Sequence, residues 1–184
     1  MQQITDSVFF IPGRGYDSNS ILVVSDITFL VDTGTGENIE HLKKEVAGHS
    51  IDAIVNTHCH FDHIGGNHFF DCPVYIHTGD LSFLASGDPD HTASGMFGEK
   101  LPPSNPLPLP KDFHGWSVLH TPGHTEGSVC LYKDSVLISG DCLFADGVGR
   151  TDLPGGNEKQ MQQSLAMLRG LDYSILLPGH GPRL

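Results

Sequence analysis

The chain has 184 residues and a mass of 19.9 kDa, and 38% of its residues are hydrophobic. This length suits one well-buried core, so we expect residues 1–184 to form a single domain. The formal net charge is −12 and the ten Lys and Arg residues form no basic stripe, which argues against a nucleic-acid-binding protein. The N-terminus does not resemble a signal peptide, no run reaches roughly 18 apolar residues and no cysteines have CxxC spacing. We therefore expect a cytoplasmic protein without a membrane partner.

The first half of the chain predicts a meander followed by mixed elements. Apolar runs over 7–12, 19–25 and 27–34, separated by turn residues, predict three antiparallel strands. A polar, helix-permissive stretch from Glu37 to Ala47 precedes Gly48 and predicts a helix. Three shorter elements follow: a strand over 52–57, a helical turn over 67–70 and a strand over 74–77.

The second half repeats this pattern of strands followed by a helix. Strands are predicted over 116–120, 128–132, 136–139 and 174–177. A helix is predicted over 158–169, because Met161, Leu165 and Leu168 recur with helical spacing and Asn157 is suited to cap its first turn. Two β-rich halves that each carry helices predict an α/β protein built as a four-layer sandwich.

The stretch from Ser86 to His114 is rich in Gly and Pro and separates the two halves. It has two interpretations that the sequence leaves open. One is a surface connection stiffened by proline, and the other is a loop that overhangs a functional cleft.

Residues 58–63 read HCHFDH and predict a metal site. His58, His60, Asp62 and His63 are of the types that bind zinc or iron. At a strand end, side chains two positions apart point the same way, so His58 and His60 are expected to bind one ion. A turn after His60, indicated by the following glycines, would let Asp62 and His63 reach a second ion. Alternation turns Cys59 to the opposite side, where we expect it to pack in the core.

Four side chains cannot complete two metal shells, so further ligands are expected at other strand ends. Three candidates each follow an apolar run and have a glycine beside them, which lets the backbone approach the site closely. They are His124, Asp141 and His180.

Together these motifs resemble the metallo-β-lactamase-fold hydrolases and, within them, the glyoxalase II group. The resemblance spans essentially the whole chain and rests on VDTG (31–34), THCHFDHIGGN (57–67), TPGHTEGS (121–128), SGDCLF (139–144), GVGRTDLPGG (147–156) and LPGHG (177–181). It implies the αβ/βα sandwich of that fold. It also implies a first metal held by His58, His60 and His124, a second held by Asp62, His63 and His180, and Asp141 as the bridge between them.

The resemblance implies two divalent ions, with zinc favoured and iron or manganese as alternatives. Such a pair lowers the pKa of a water molecule and polarises a carbonyl group. We therefore predict hydrolysis of a small thioester or ester, such as S-lactoylglutathione, with Asp62 as the catalytic group that orients the attacking water.

Two further residues of these motifs have open interpretations. Asp32, in VDTG, either orients a metal ligand or forms a strand-end turn. Arg150, in GVGRTD, matches a position where the family has a basic residue near the carboxylate of the thiol, with a structural salt bridge as the alternative. The sequence stops four residues after His180, so we do not expect the C-terminal helical extension that helps bind glutathione in longer glyoxalase II enzymes. The identity of the thiol is therefore left open.

Three other functions compete with the thioesterase. A persulfide dioxygenase resembles this chain in fold and in its GRTD segment, and would hold one iron with residues matching His58, His124 and Asp141. A lactone or ester hydrolase of the same fold would use the same ligands, and a metal-binding protein would use them without turnover. The LPGHG setting of His180 favours a second metal and hence a hydrolase.

Overall fold

The apolar runs along the chain form two β-sheets. The computed structural model describes residues 1–184. The first sheet follows sequence order: β1 (Gln2–Gln3), β2 (Val8–Ile11), β3 (Ser20–Val24), β4 (Thr28–Val31), β5 (Ala53–Val55), β6 (Val74–Ile76) and β7 (Leu107–Pro108). Strands β1 to β4 pair antiparallel, which confirms the predicted meander, and β4 to β7 pair parallel.

The second sheet has the order β12, β11, β10, β9 and β8. Its strands are β8 (Asp112–Phe113), β9 (Trp116–His120), β10 (Val129–Lys133), β11 (Val136–Gly140) and β12 (Ile175–Pro178). All neighbours pair antiparallel except β11 and β12, which are parallel.

Alternation along the strands decides which side chains form the core between the sheets. In β4, Phe29 and Val31 belong to a cluster of 16 buried residues drawn from both sheets, which also contains Leu131 of β10. Leu30, between them, points to the opposite face and packs with α1. Burying both faces of the strand in this way requires a further layer of helices outside each sheet.

Four α-helices supply those layers: α1 (Ile39–Val46), α2 (Phe61–Ile64), α3 (Thr78–Ser86) and α4 (Glu158–Leu168). The buried side chains of α1 pack on the outer face of the first sheet, and Met161, Leu165 and Leu168 of α4 pack on that of the second. The side chain of Asn157 accepts a hydrogen bond from the Gln160 amide at 3.0 Å, as its predicted cap role requires. The four-layer αβ/βα sandwich is therefore confirmed. None of the helices has the length and apolar character needed to cross a membrane.

The sequence pattern did not predict α3. Its capping residue is His77, whose ring accepts a hydrogen bond from the Gly79 amide at 3.1 Å, so the usual Ser, Thr, Asp or Asn signal is missing. Gly79 in the first turn also lowers the helix propensity. The helix ends at Gly87, which adopts the left-handed conformation with φ of 65°.

Candidate metal centre

The candidate ligands come together where strands of both sheets end. His58 and His60 follow β5, and α2 then carries Asp62 and His63. The other three candidates follow strands of the second sheet: His124 after β9, Asp141 after β11 and His180 after β12. Residues up to 122 positions apart thus meet at one edge of the sandwich.

The structure brings all seven candidates into three overlapping groups. Within each group, one ligand atom per residue lies within 4.8 Å of the others. The groups are His58, His60 and His124; His58, His63 and Asp141; and Asp62, His63 and His180. The first and last groups are the two triads expected from the sequence.

Asp141 contacts both triads. Its Oδ1 lies 3.2 Å from His63 Nε2, whereas its Oδ2 lies 3.5 Å from His124 Nε2 and 3.8 Å from His180 Nε2. The side chain is largely buried, so neither oxygen is freely hydrated. One carboxylate is therefore placed between the two histidine sets.

Unpaired polar atoms at this site fit bound cations. His58 Nε2 and Asp141 Oδ1 are buried without a hydrogen-bond partner, apart from the 3.2 Å contact of Oδ1 with His63 Nε2. His60 Nδ1 and His124 Nε2 lie only 2.8 Å apart. A buried polar atom without a partner is costly, so such atoms rarely collect at one place without a ligand. The donor set of imidazole nitrogens and carboxylate oxygens, without thiolate, suits zinc, iron or manganese.

Burial keeps two of the imidazoles neutral, which is the form that binds metals. Burial first, and the neighbouring imidazoles second, lower the pKa of His58 well below its ordinary value. The same two causes lower the pKa of His60 to about 3. Both rings are therefore unprotonated near neutral pH and have a lone pair available.

The carboxylates of the site are held in the charged form. Burial opposes ionisation of Asp141, but the charge of His63 and of the other nearby imidazoles holds its pKa below the usual range. In Asp62 burial is likewise outweighed by His63 and by a hydrogen bond from His180, so its pKa is also lowered. Conversely, burial would lower the pKa of His63, but Asp141, Asp32 and Asp62 raise it well above its ordinary value. The cluster thus concentrates negative charge around His63.

Asp32 orients one ring in each triad. Its Oδ2 accepts hydrogen bonds from His63 Nδ1 at 2.8 Å and from the Thr57 hydroxyl at 2.7 Å. The Thr57 hydroxyl in turn lies 3.1 Å from His58 Nδ1 and accepts from it. Because both Nδ1 atoms are thereby used as donors, the Nε2 atoms are left to face the site. Both interpretations of Asp32 match the structure: it orients these rings, and with φ of 57° directly after β4 it also forms the strand-end turn.

Close backbone packing also shapes the site. The Nδ1 of His124 donates to the Arg150 carbonyl oxygen at 2.7 Å, which fixes the third ring in the same way. A Cβ atom on Gly179 would lie 2.2 Å from Asp141 Oδ1 and 2.7 Å from His63. This close approach explains why a glycine precedes His180.

Cys59 does not belong to the site. Its side chain is 1% exposed and packs with Ile64, Ile76 and Leu84 on the other side of the segment. Its thiol lies 3.4 Å from the His91 carbonyl oxygen. The prediction that Cys59 packs in the core is confirmed.

Asp80 of α3 is a residue that sequence reasoning missed. This fully buried carboxylate accepts hydrogen bonds from the Cys59 amide at 2.9 Å, the Thr125 hydroxyl at 2.8 Å and the Gly127 amide at 2.7 Å. It therefore ties the HCHFDH segment to the loop that carries His124. The sequence contained no signal for it, because its helix was not predicted and a single Asp indicates only a polar surface.

The Arg150 side chain forms an exposed bidentate pair with Asp152. Its Nε and Nη2 donate to the two carboxylate oxygens, each at 2.7 Å. Arg150 also lines the cavity over the metal cluster. The structure therefore contains the salt bridge named as the alternative and leaves the guanidinium within reach of a bound molecule.

A cavity of about 340 Å³ opens over the cluster and is lined by five of its residues, His60, Asp62, His124, Asp141 and His180. Part of the 86–114 stretch forms another side of it, through Ala93, Met96 and Phe97. The rest of the stretch contains β7 and β8 and connects the sheets. Both interpretations of this stretch thus apply, each to a different part.

Comparisons with known proteins identify the family to which the chain belongs. Residues 13–180 match the model of the metallo-β-lactamase superfamily. A probable metallo-hydrolase of Methanocaldococcus jannaschii is 38% identical over 186 residues, which cover 92% of this chain and 90% of the relative. The probable metallo-hydrolase YqgX of Bacillus subtilis is 37% identical, with 90% and 85% covered.

Solved structures with similar sequences share the fold. TTHA1623, crystallised in a di-iron-bound form, is 33% identical with a TM-score of 0.82, over 96% of this chain and 94% of that one. The BLEG-1 B3 metallo-β-lactamase is 32% identical with a TM-score of 0.79, over 96% and 93%. The chain therefore belongs to the metallo-β-lactamase superfamily.

Proposed function

We propose that this protein is a glyoxalase II-like hydrolase that cleaves a small thioester or ester with two divalent metal ions. The single observation that carries the proposal is the position of Asp141, whose carboxylate contacts imidazoles of both histidine sets. A carboxylate in this position is suited to bridge two ions and thereby to fix their separation.

The ligand sets follow from the groups described above. His58, His60 and His124 would hold one ion, Asp62, His63 and His180 the other, and Asp141 both. When bound, such a pair lowers the pKa of a water molecule towards neutrality and stabilises negative charge on a carbonyl oxygen. Zinc suits the ligands, with iron or manganese as alternatives, and the di-iron form of TTHA1623 supports iron among them.

The chain's own residues fix the geometry around these ions. Asp32, Thr57 and the Arg150 carbonyl hold the Nδ1 protons of three rings, so those rings cannot rotate away from the site. Asp62 lines the cavity, and its charged carboxylate can accept a hydrogen bond from the attacking water and orient it. Arg150 lines the same cavity and is suited to bind a carboxylate on the leaving thiol, which would replace Asp152 as the partner of the guanidinium.

A second candidate is β-lactam hydrolysis, because the BLEG-1 metallo-β-lactamase shares 32% of its residues with this chain. A β-lactam is a strained amide, and its cleavage needs the same attack by water on a carbonyl carbon. The thioester is preferred because TPGHTEGS and GVGRTD resemble the glyoxalase II group.

An anaerobic assay tests the reaction class. Hydrolysis consumes water and no oxygen, so the metal-loaded protein should release thiol from S-lactoylglutathione without oxygen. Parallel assays with the chromogenic cephalosporin nitrocefin and with glutathione persulfide plus oxygen cover the two competing activities. Oxygen uptake without thioester cleavage would contradict the proposed hydrolase activity. Turnover of nitrocefin alone would show that the substrate is a β-lactam and not a thioester.

A further inference from the structure

Large apolar side chains collect at the mouth of the metal cavity. Tyr16 is 70% exposed, Met96 66% and Phe97 38%. The rings of Tyr16 and Phe97 contact each other edge to face, with centroids 5.7 Å apart. A contiguous group of exposed apolar side chains of this size is typical of a binding surface.

This apolar surface continues into the cavity that holds the candidate ligands. Five apolar side chains line the cavity, and we call them the apolar wall: Ala93, Met96, Phe97, Phe144 and Leu153. Apart from the candidate ligands, the only charged side chain that lines it is Arg150, which is paired with Asp152. A substrate group on the wall would therefore find few polar partners.

The turn that presents Met96 and Phe97 is firmly held. A 3₁₀ turn spans Ser94–Phe97 and lies between two left-handed residues, Ala93 with φ of 55° and Gly98 with φ of 72°. Thr92 and Ser94 are fully buried, and their hydroxyl groups are 3.1 Å apart. Such a segment presents its side chains in a fixed position, as a preformed pocket requires.

The same turn is attached to the metal-ligand segment. The Phe61 amide donates to the Thr92 carbonyl oxygen at 2.7 Å. The Phe61 ring packs against Phe97 with centroids 5.2 Å apart. Because Phe61 directly follows His60, this part of the wall keeps a fixed position relative to the ligands, and both line one cavity into which an acyl group can extend.

From this arrangement we propose that the acyl group of the substrate is bulky and apolar, a medium-chain alkyl or aryl-bearing group that packs on Met96 and Phe97. The inference rests on the proposed hydrolysis and names its substrate class. Each methylene buried on the wall is worth about a fourfold gain in affinity, so an acyl group larger than lactoyl by several carbons should be strongly preferred. The hydroxyl group of a lactoyl substrate would gain no comparable affinity on the apolar wall.

The kinetic test compares glutathione thioesters that differ only in the acyl group. We expect kcat/KM for hexanoyl and phenylacetyl thioesters to exceed that for the lactoyl thioester by about tenfold or more. The double variant Met96→Ser/Phe97→Ser should lose this preference, and Met96→Ser alone should reduce it. Met167→Ser and Phe69→Ser change the same residue types at exposed positions that do not line the cavity, and should keep it.

A binding measurement separates this inference from the proposed reaction. Calorimetry with the metal-loaded protein should show phenylacetate binding about tenfold tighter than lactate, with the difference lost in the double variant. Equal binding of the two acids, or hydrolysis that depends on the thiol and not on the acyl group, would overturn the inference and leave the hydrolase standing. Preferential binding of phenylacetate without cleavage of any thioester would instead support the binding role of the apolar wall and contradict the proposed thioester hydrolysis.

Discussion

Asp141 is the residue on which the proposed two-metal arrangement depends. Its carboxylate lies within 3.2 to 3.8 Å of His63, His124 and His180, which come from three separate parts of the chain. Cys59 is its natural comparison, because it lies between two candidate ligands in sequence and yet faces the core. Proximity in sequence and contact with the site are thus separate properties here.

We predict that Asp141→Ala lowers bound metal and thioesterase activity together, with kcat/KM falling by about a hundredfold or more, since even residues that only support a metal ligand cost about 10- to 100-fold. Metal analysis and kinetics on the same preparations measure both effects. Cys59→Ala should bind two ions per chain and cost about 1 kcal/mol in free energy of unfolding. Equal metal loss in the two variants would show that the ligand assignment is wrong.

At the scale of elements, α3 connects two segments of the candidate site in addition to packing in the core. Its buried Asp80 receives hydrogen bonds from the segment that carries His58 and His60 and from the loop after His124. Burial raises the pKa of Asp80, and the three donors counteract that rise. The helix therefore joins two strand ends that belong to different sheets.

We predict that Asp80→Ala lowers the free energy of unfolding by about 3 kcal/mol, because two buried amides and a hydroxyl lose their acceptor at about 1–3 kcal/mol per unsatisfied group. Metal content should fall with it, because the position of His124 relative to His60 is no longer fixed. Denaturant unfolding and metal analysis measure the two effects. Thr125→Val is the matched control, since it removes one of the three bonds and should cost about 1 kcal/mol. Full metal content in Asp80→Ala would show that Asp80 contributes to stability but not to metal binding.

For the whole molecule, the candidate metal site concentrates contacts that are unfavourable without a bound cation. Buried imidazole and carboxylate atoms without hydrogen-bond partners meet there, at the edge of two sheets that pack on each other through an apolar core. Metal binding should therefore contribute to folding as well as to catalysis.

We predict that chelation lowers the melting temperature. An ion present at about 100 times its dissociation constant stabilises the folded state by about 2.7 kcal/mol. At about 2–4 °C per kcal/mol for a chain of this size, each ion removed should lower Tm by about 5–11 °C. Calorimetric scans before and after chelation measure the change. The Asp141→Ala variant should show a smaller shift, and an unchanged Tm in the wild type would contradict a metal contribution to folding.

The sequence by itself determined nine of the twelve strands, two of the four α-helices and the seven candidate ligands. Strand and helix periods are local properties, so the runs around Phe29 and Met161 predicted β4 and α4 without knowledge of their partners. The HCHFDH segment is equally local, because alternation and a turn are enough to divide its side chains between two ions. The repeated pattern of strand, glycine and ligand located the remaining candidates.

Only the tertiary structure decided how these parts meet. The contacts of Asp141 with both triads, the orienting role of Asp32 and the hydrogen bonds of Asp80 all join residues that are distant in the chain, and no local pattern encodes them. The α3 helix depends on such contacts too, since its own sequence lacks a conventional cap and contains Gly79. The part of the apolar wall that Met96 and Phe97 form is placed by the packing of a turn of the 86–114 stretch against Phe61. Local propensity selects the elements, whereas burial and long-range hydrogen bonds select their arrangement and thereby the site.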